Sequence, residues 1–259
     1  MPGIRTMPND STLKTFIVAG GLCLICSIIV SGAAVGLRPI QQANKLLDKQ
    51  KTVLQVVGRY EPGMDIKQEF SAFEPKLVDL DSGDYAEGDA AKFDQRAAAK
   101  DPKRSESIPS SDDIAKIKRR PDKAQVFLAK NESGGVQYYI LPISGYGLWS
   151  TMRGYLALES DAQTVKGIIF YDQAETPGLG GEVANPQWLA NWPGKLVYGK
   201  DGEPQLTVVK GAAARSGAAA DYQVDGLAGA TLTTRGVANL IEYWMGENGF
   251  KPYLDKVRS

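Results

Sequence analysis

An uncharged run near the N-terminus limits what this chain can fold into more than any other feature. Residues 15–37 hold no Asp, Glu, Lys or Arg, and Lys14 and Arg38 bracket them. As a helix this run would be roughly 34 Å long, which is enough to cross a bilayer core of about 30 Å. We therefore predict an N-terminal tail at residues 1–14, a single transmembrane helix at residues 15–37 and a further domain after it.

The run has one alternative interpretation, a cleaved signal peptide with its apolar region at residues 16–30. The apolar character resumes at Val35 and Leu37, which favours an uncleaved anchor. Cys23 and Cys26 lie three positions apart within the run. Inside a membrane helix we interpret them as small apolar residues rather than as a redox dithiol.

Positive charges lie on both sides of the predicted span. More of them follow it (Arg38, Lys45, Lys49, Lys51) than precede it (Arg5, Lys14). By the positive-inside rule alone, the C-terminal side would stay in the cytoplasm. Large translocated domains override that count, so we take the orientation from the family resemblance described below.

Charge balance and histidine content exclude several classes of protein. The chain has 30 basic and 30 acidic residues and no histidine. A balanced charge provides no basic field for nucleic acid, so we predict no nucleic-acid partner. The lack of histidine removes Ser-His-Asp and Cys-His catalysis and histidine-ligated metals. We therefore predict no catalytic residue and no metal site in this chain.

The residue pattern after the span divides in two. Residues 38–123 are predicted to form a membrane-proximal helix at 39–57 and a connecting region. Within that region, residues 96–113 are rich in Ala, Lys, Ser, Pro and Asp and are predicted to be an exposed loop. Residues 124–259 are predicted to form the main domain.

Short apolar runs separated by turn residues fill the main domain. They predict two hairpins, 125–128 with 136–140 and 154–158 with 165–171. The remaining predicted elements are a short helix at 186–192, a strand at 205–209 and a long helix from Thr231. Hairpins with helices segregated from them indicate the α+β class, with a mostly antiparallel sheet and flanking helices.

The segment Asp225–Thr231 has the sequence Asp-Gly-Leu-Ala-Gly-Ala-Thr. Gly226 and Gly229 allow a tight turn and a close approach to a bulky ligand. A phosphate at Thr231 would meet the free N–H groups and the positive dipole end of the following helix. Thr231 as a simple helix N-cap is the alternative. The segment resembles the acceptor motif on which a flavin transferase esterifies the phosphate of FMN to a threonine hydroxyl.

A second segment, Asp172–Gly181, contains a proline and several glycines. Such a composition predicts an exposed loop whose backbone amides can reach a planar ligand. Together with Gly145–Ser150, Val209–Gly211 and Asn44–Gln50, the two segments resemble the family of the C subunit of the sodium-translocating NADH:quinone reductase of bacterial membranes. The resemblance covers nearly the whole chain.

The resemblance implies a membrane-anchored electron-transfer subunit that carries FMN as a phosphoester on Thr231. It implies a single-pass protein of the bacterial inner membrane whose C-terminal domain is periplasmic. The implied partners are the other subunits of the six-subunit Na⁺-pumping NADH:ubiquinone oxidoreductase, and a flavin transferase for maturation. The chain has no Rossmann fingerprint, so we expect it to pass electrons within the complex and not to be catalytic alone.

The other FMN contacts are predicted on the segments that carry the resemblance. Aromatic and apolar groups bury the faces of an isoalloxazine, and for this role we select Trp149, Thr176 and Leu179. For polar and backbone contacts we select Glu175, Gly178 and Gly180. Lys210 is selected to stabilise negative charge on the phosphate or on the reduced flavin. The remaining predicted cofactor-binding positions adjoin Thr231 and are Gly229, Ala230, Leu232 and Thr233.

Two departures from the family pattern keep alternatives open. Ala228 stands where the acceptor motif usually has Ser or Thr, which gives some support to an unflavinylated assembly or scaffold protein. Gln173 stands where relatives often have histidine, so an imidazole role at that position is not expected here. The G subunit of an Rnf-type electron-transport complex shares the acceptor motif and is a further alternative. The Trp149 segment and the long stretch after the span favour the quinone reductase.

Overall fold

The computed structural model describes Pro8 and residues 11–258. The predicted N-terminal tail therefore lies largely outside the described residues, and its last part, from Thr12, is already helical. The chain divides into two compact units, one ending at Lys49 and one beginning at Gln50.

The first unit consists of most of a long helix, α1, which runs Thr12–Val56. Its apolar stretch has a mean hydropathy of 2.4 and none of it is buried, so its length and composition suit a membrane span. Pro39 lies inside the helix, where its ring removes one helical hydrogen bond. The free thiols of Cys23 and Cys26 are exposed on α1.

The second unit contains the other described helices and strands. The helices are α2 Ile66–Phe70, α3 Gln95–Lys100, α4 Pro186–Leu189, α5 Thr231–Met245 and α6 Lys251–Arg258. The strands are β1 Phe73–Asp79, β2 Tyr85–Ala86, β3 Ser105–Ser107, β4 Arg119–Pro121, β5 Lys123–Lys130, β6 Val136–Tyr146, β7 Thr151–Glu159, β8 Val165–Asp172, β9 Thr207–Val208 and β10 Gln223–Val224. Short 3₁₀ turns lie at Ala90–Lys92, Gly180–Ala184 and Ala218–Asp221.

Six strands form one sheet in the order β2-β1-β5-β6-β7-β8, and every neighbouring pair is antiparallel. The hairpins β5–β6 and β7–β8 confirm the two predicted hairpins. A small antiparallel pair, β3–β4, and a small parallel pair, β9–β10, lie outside this sheet. The structure confirms the predicted α+β class with a mostly antiparallel sheet.

The start of the FMN-binding domain at residue 124 stays a prediction. The sheet itself draws on both sides of that boundary, because β1 pairs with β5 along its whole length. The compact unit that contains the sheet begins at Gln50.

The sheet separates two apolar cores. Side chains alternate along β6, because successive residues of a strand point to opposite faces. Tyr139 and Leu141 pack in the core that also holds α5 and α6. Tyr138 and Ile140 pack on the other face, against Leu54 and its neighbours in the last turns of α1. The amphipathic end of α1 thus has a defined role, which is to cover one face of the sheet.

Helix α5 approaches the end of β6 very closely. A Cβ atom at Gly236 of the helix would lie 2.5 Å from the carbonyl oxygen of Tyr146, and a Cβ at Gly145 of the strand would lie 2.5 Å from Leu240 Cβ. The indole N–H of Trp244 donates to the Ser144 carbonyl over 2.7 Å. Glycine on both surfaces therefore sets the distance between helix and strand.

Three sequence expectations need correction. Residues 96–113 are not one exposed loop, because they contain most of α3, which buries Ala98, and all of β3. Asp94, just before α3, accepts from the N–H groups of Arg96 and Ala97, and this cap supports a helix that the composition concealed. The predicted helix at 186–192 ends at Leu189. The predicted strand at 205–209 is reduced to β9, which pairs in parallel with β10.

We expect Gly236→Ala to destabilise the second unit by about 1–3 kcal/mol, because overpacking outweighs the gain in helix propensity. Arg235→Ala is the matched control, since residue 235 is exposed on the same helix. Thermal unfolding of the full-length chain in detergent, followed by tryptophan fluorescence, measures both. A Gly236→Ala variant as stable as the wild type would contradict the packing described for α5.

Candidate functional site

Three segments of the second unit meet at the N-terminal end of α5. They are the turn at residues 147–150 after β6, the loop at residues 173–181 after β8, and residues 225–231 before α5. We call them the 147–150 turn, the 173–181 loop and the 225–231 segment. Each leaves the end of a regular element, so the sheet and the helix fix their anchor points.

The carboxylate of Glu175 connects the 147–150 turn to helix α5. Its Oε1 accepts from the backbone N–H groups of Trp149 and Ser150 and from the Ser150 hydroxyl, each over 3.0 Å. Its Oε2 accepts from the Leu148 N–H over 3.0 Å and from the Thr233 hydroxyl over 2.8 Å. Glu175 is 5% exposed, so this carboxylate is nearly removed from solvent and is held by five donors.

The charge on Glu175 is maintained by these donors. Burial by itself would raise the pKa of the carboxyl, but the hydrogen bonds from Thr233, Leu148, Trp149 and Ser150 outweigh it and hold the pKa below the ordinary value of 4.5. Glu175 is therefore a carboxylate at neutral pH. Its predicted polar contact with the flavin stays a prediction, and its oxygens are already engaged by the protein.

Glycine is required where the Glu175 carboxylate is enclosed. A Cβ at Gly147 would lie 2.7 Å from Glu175 Oε1, and a Cβ at Gly180 would lie 2.5 Å from Thr233 Oγ1 and 2.9 Å from Glu175 Oε2. The side chain of Leu179 lies against Gly229, where a Cβ would meet its Cδ2 at 3.0 Å. The 173–181 loop and the 225–231 segment are thus in direct contact.

Thr231 is the first residue of α5 and is exposed. It is not the N-cap, because Ala230 occupies that position, and no side chain caps the helix there. Within the described residues, the Thr231 hydroxyl and the N–H groups of Thr231, Leu232 and Thr233 have no protein acceptor. Such unpaired amides at a helix start suit an anion.

A pocket of about 430 Å³ opens beside Thr231. It is lined by the motif residues from Asp225 to Gly229, by Thr231 and Thr234, and by Lys210, Gly211 and Ala212. Lys210 is exposed and is the cation among the residues that line this pocket. The structure thus brings Lys210 and Thr231, predicted from separate segments, to one pocket.

Asp225 is a lining residue of this pocket with several hydrogen-bond partners. Its Oδ1 accepts from the Ala213 N–H and its Oδ2 from the Arg215 guanidinium, both over 2.7 Å. Its carbonyl accepts from the Trp188 indole over 2.7 Å. The Gly226 N–H donates to the Gly211 carbonyl over 2.8 Å. Asp225 therefore ties the loop at residues 211–215 to the 225–231 segment.

Large apolar side chains remain exposed on this end of the second unit. Trp149 is 67% exposed, Leu232 is 53% exposed and Leu179 is 43% exposed. Aromatic and apolar surface of this kind suits the faces of a planar ring system. All three were predicted as FMN contacts.

The other predicted positions fall into two groups. Thr176 and Gly178 are exposed on the 173–181 loop, and Gly178 has a φ of +76° that favours glycine. Ala230 and Thr233 are buried. The Thr233 hydroxyl is directed to Glu175 rather than into the pocket, so any contact to a ligand comes from its backbone N–H.

Sequence reasoning missed the residues that hold the site from behind. Ser150 donates to Glu175 and accepts from the Ala174 N–H over 2.9 Å. Arg215 pairs with Asp225. These contacts join positions 10 to 25 residues apart, so no local pattern marks them; for Ser150 the only signal was its place in the segment Gly145–Ser150.

The residues present fit an FMN group. The pocket provides unpaired amides, a lysine and a free threonine hydroxyl for a phosphate, and the neighbouring surface provides apolar side chains for a ring system. Residues 147–246 match the family model of the FMN-binding domain. The fold and the site thus define a protein with an FMN-binding domain.

The relatives of the whole chain narrow the class. The chain is 48% identical to the C subunit of the Na⁺-translocating NADH-quinone reductase of Vibrio alginolyticus, over 96% of both chains. It is 46% identical to the equivalent protein of Yersinia pestis, over 96% of this chain and 94% of the relative. The crystal structure of NqrC from Shewanella oneidensis superimposes with a TM-score of 0.76 at 34% identity, covering 83% of this chain and 99% of that one.

The chain belongs to the NqrC family, the C subunits of the Na⁺-translocating NADH-quinone reductase. The family resemblance predicted from the motifs is thereby confirmed, and it is favoured over the G subunit of an Rnf-type complex.

We expect Asp225→Asn to lower the stability of the second unit at neutral pH by about 1 kcal/mol. The Ala213 N–H and the Arg215 guanidinium hold the pKa of the Asp225 carboxyl below its ordinary value of 3.8. Because the folded pKa is the lower one, this stabilisation is complete above about pH 3.8 and is lost as the pH falls through the folded value.

Unfolding curves from pH 7 down into this acid range test the prediction. The difference between wild type and Asp225→Asn should shrink with falling pH, whereas Asp221→Asn, at an exposed position nearby, should match the wild type throughout. A difference that stays constant with pH would show that the charge of Asp225 is not what matters.

Proposed function

We propose that this chain is a membrane-anchored electron-transfer subunit that carries FMN covalently, as a phosphoester on Thr231. It works within the Na⁺-pumping NADH:ubiquinone oxidoreductase of a bacterial inner membrane. The names of its relatives imply partner subunits of one enzyme. Maturation requires a flavin transferase, which replaces one P–O bond at the phosphate of FMN by a bond to the Thr231 oxygen. The hydroxyl loses its proton and the phosphorus loses one oxygen substituent, so the chain gains FMN less one water.

The state of Thr231 carries this proposal. Its hydroxyl is exposed at the first residue of α5 and has no protein acceptor within the described residues. The two threonines that follow Leu232 are buried, and their hydroxyls are engaged by Glu175 and by the Leu227 N–H. Thr231 is therefore the hydroxyl of this helix start that an enzyme can reach.

The surroundings of Thr231 suit a phosphoester. The unpaired N–H groups of the first turn and the positive end of the helix dipole favour a negative group there. Lys210, which lines the same pocket, adds a positive charge. These groups compensate the charge that the phosphodiester retains.

The exposed apolar side chains suit the ring system. Trp149, Leu179 and Leu232 offer aromatic and aliphatic surface, and Thr176 and Gly178 lie exposed on the same loop as Leu179. FMN, when bound, supplies a group that accepts and releases electrons. The protein's own contribution is to hold that group at an open surface where partner subunits can exchange electrons with it.

A covalent link has a physical purpose at an open site. A periplasmic domain has no access to the cytosolic FMN pool. A noncovalent cofactor held by only a few contacts would therefore dissociate and be lost by dilution. A tether makes ring binding intramolecular and keeps the effective concentration high even where contacts are weak. The chain has no dinucleotide fingerprint, so NADH oxidation is left to another subunit.

Replacement of Thr231 by Val should abolish covalent flavin, because it removes the only atom of this side chain that can form the ester, and should leave the fold intact. Thr231→Ser is the matched control and should retain modification. Intact mass after expression with the flavin transferase measures both: the wild type should gain the mass of FMN less one water. In-gel flavin fluorescence should follow the mass.

Two outcomes would contradict the proposal. A Thr231→Val variant that still gains the full mass would place the flavin elsewhere. A wild-type chain that gains no mass beside an active transferase would favour the alternative of an unflavinylated assembly protein, which Ala228 supports.

The proposed anchor and orientation have their own test. In a Cys23→Ser, Cys26→Ser background, a cysteine placed at the exposed Glu132 should react with a membrane-impermeant maleimide in intact spheroplasts. The full-length chain should also stay in the membrane after alkaline extraction. Labelling that requires lysis would put the domain in the cytoplasm, as the charge count around the span predicted.

A further inference from the structure

Among the described residues, the donors to the Glu175 carboxylate are all neutral groups. It accepts hydrogen bonds from three consecutive backbone N–H groups and from two hydroxyls. Within the part of the chain that the structure describes, no Lys or Arg pairs with it. A buried charge held this way constrains each of its donors, because any donor that leaves exposes an unsatisfied lone pair to a poorly solvated space.

Its donors come from both sides of the candidate site. The three N–H groups belong to Leu148, Trp149 and Ser150, so the carboxylate fixes the backbone of the 147–150 turn. Thr233 belongs to the first turn of α5, two residues after Thr231. Glu175 thereby links the backbone of Trp149 to the first turn of α5, which begins at Thr231.

The packing around the Glu175 carboxylate is close. Gly147 and Gly180 each lie so close to this carboxylate that a Cβ would clash with it. The loop side is fixed as well, since the Ala174 N–H donates to the Ser150 hydroxyl over 2.9 Å and the Glu175 N–H donates to Gln173 Oε1 over 2.7 Å. The contact is therefore reciprocal between the turn and the loop.

From this geometry we infer that Glu175 is a positioning residue, which sets the placement of Trp149 relative to Thr231 and so the environment of a flavin held there. It acts through the turn and the helix, because its oxygens already accept from protein donors on both. The inference rests on the proposed function for the flavin, while the clamp itself is a feature of the unloaded protein.

Glu175→Gln tests the inference in the full-length chain, with and without flavin. The amide keeps the size of the side chain, but its NH₂ group cannot accept a hydrogen bond. Whichever way the amide is oriented, the hydrogen bonds to one of the two original oxygens are lost, either those from Trp149 and Ser150 or those from Leu148 and Thr233. In the unloaded protein, hydrogen exchange of the Leu148, Trp149 and Ser150 amides should speed up by about tenfold or more. In the loaded protein, the visible circular dichroism of the flavin should change while intact mass shows full modification.

Thr233 provides a second pair of variants in case Glu175→Gln folds poorly. Thr233→Val removes one donor at nearly constant volume, and Thr233→Ser retains it. The valine variant should alter the flavin circular dichroism and the serine variant should restore it. Glu182→Gln, at a carboxylate of the adjacent 3₁₀ turn that accepts from Asn185, is the matched control and should leave exchange and dichroism unchanged.

The outcomes separate the inference from the function. If the wild type is loaded with flavin, and Glu175→Gln shows the same flavin circular dichroism and the same amide exchange in the turn, the inference alone is overturned. Faster amide exchange without any spectral change overturns it too, because the clamp would then serve stability only. A wild type that acquires no flavin overturns the proposed function, and the flavin environment assigned to Glu175 with it.

Discussion

The close approach of helix α5 to the end of strand β6 is the constraint on which the site depends. Gly236 and Gly145 remove side chains from the interface, and the Trp244 indole bonds to the Ser144 carbonyl across it. This contact puts the first turn of α5 level with the turn that follows β6. A larger separation would break the reach of Glu175, whose carboxylate spans from Trp149 N to Thr233 Oγ1.

The polar groups of the site fall into two sets, those that have hydrogen-bond partners in the protein and those that do not. Behind it, the side-chain oxygens of Glu175, Thr233 and Thr234 all have partners, as buried polar groups require. At its surface, the Thr231 hydroxyl and the N–H groups of the first turn have no protein partner within the described residues. The fold thus holds the start of α5 from behind and leaves Thr231 open in front, which is the arrangement that the proposed modification requires.

Much of the fold was predictable because its signals are local. Short apolar runs separated by turn residues predicted the hairpins β5–β6 and β7–β8, and helical spacing predicted α5 with its start at Thr231. Strand β1 was not predicted, since Glu74, Pro75 and Lys76 interrupt its apolar run. Helix α3 was missed because only its cap at Asp94 and one buried residue, Ala98, distinguish it from a loop.

The site divides in the same way. Thr231, Lys210 and the glycines were found from motifs, whereas the roles of Glu175 and Asp225 as ties between segments were not. Each accepts from backbone N–H groups far away in the sequence, and such donors exist at nearly every residue. Only the folded backbone decides which of them a carboxylate meets.

Trp149 combines an exposed side chain with a backbone that is held by buried groups behind the site. A residue that is 67% exposed would ordinarily be free to move, because a turn on the surface has few apolar contacts to restrain it. Here its backbone is fixed by a buried carboxylate, so order comes from behind and not from burial of the ring. Under the proposed covalent link, a flavin needs little contact energy to stay bound. A surface with few but well-placed contacts would then both retain the redox group and leave it accessible to partner subunits.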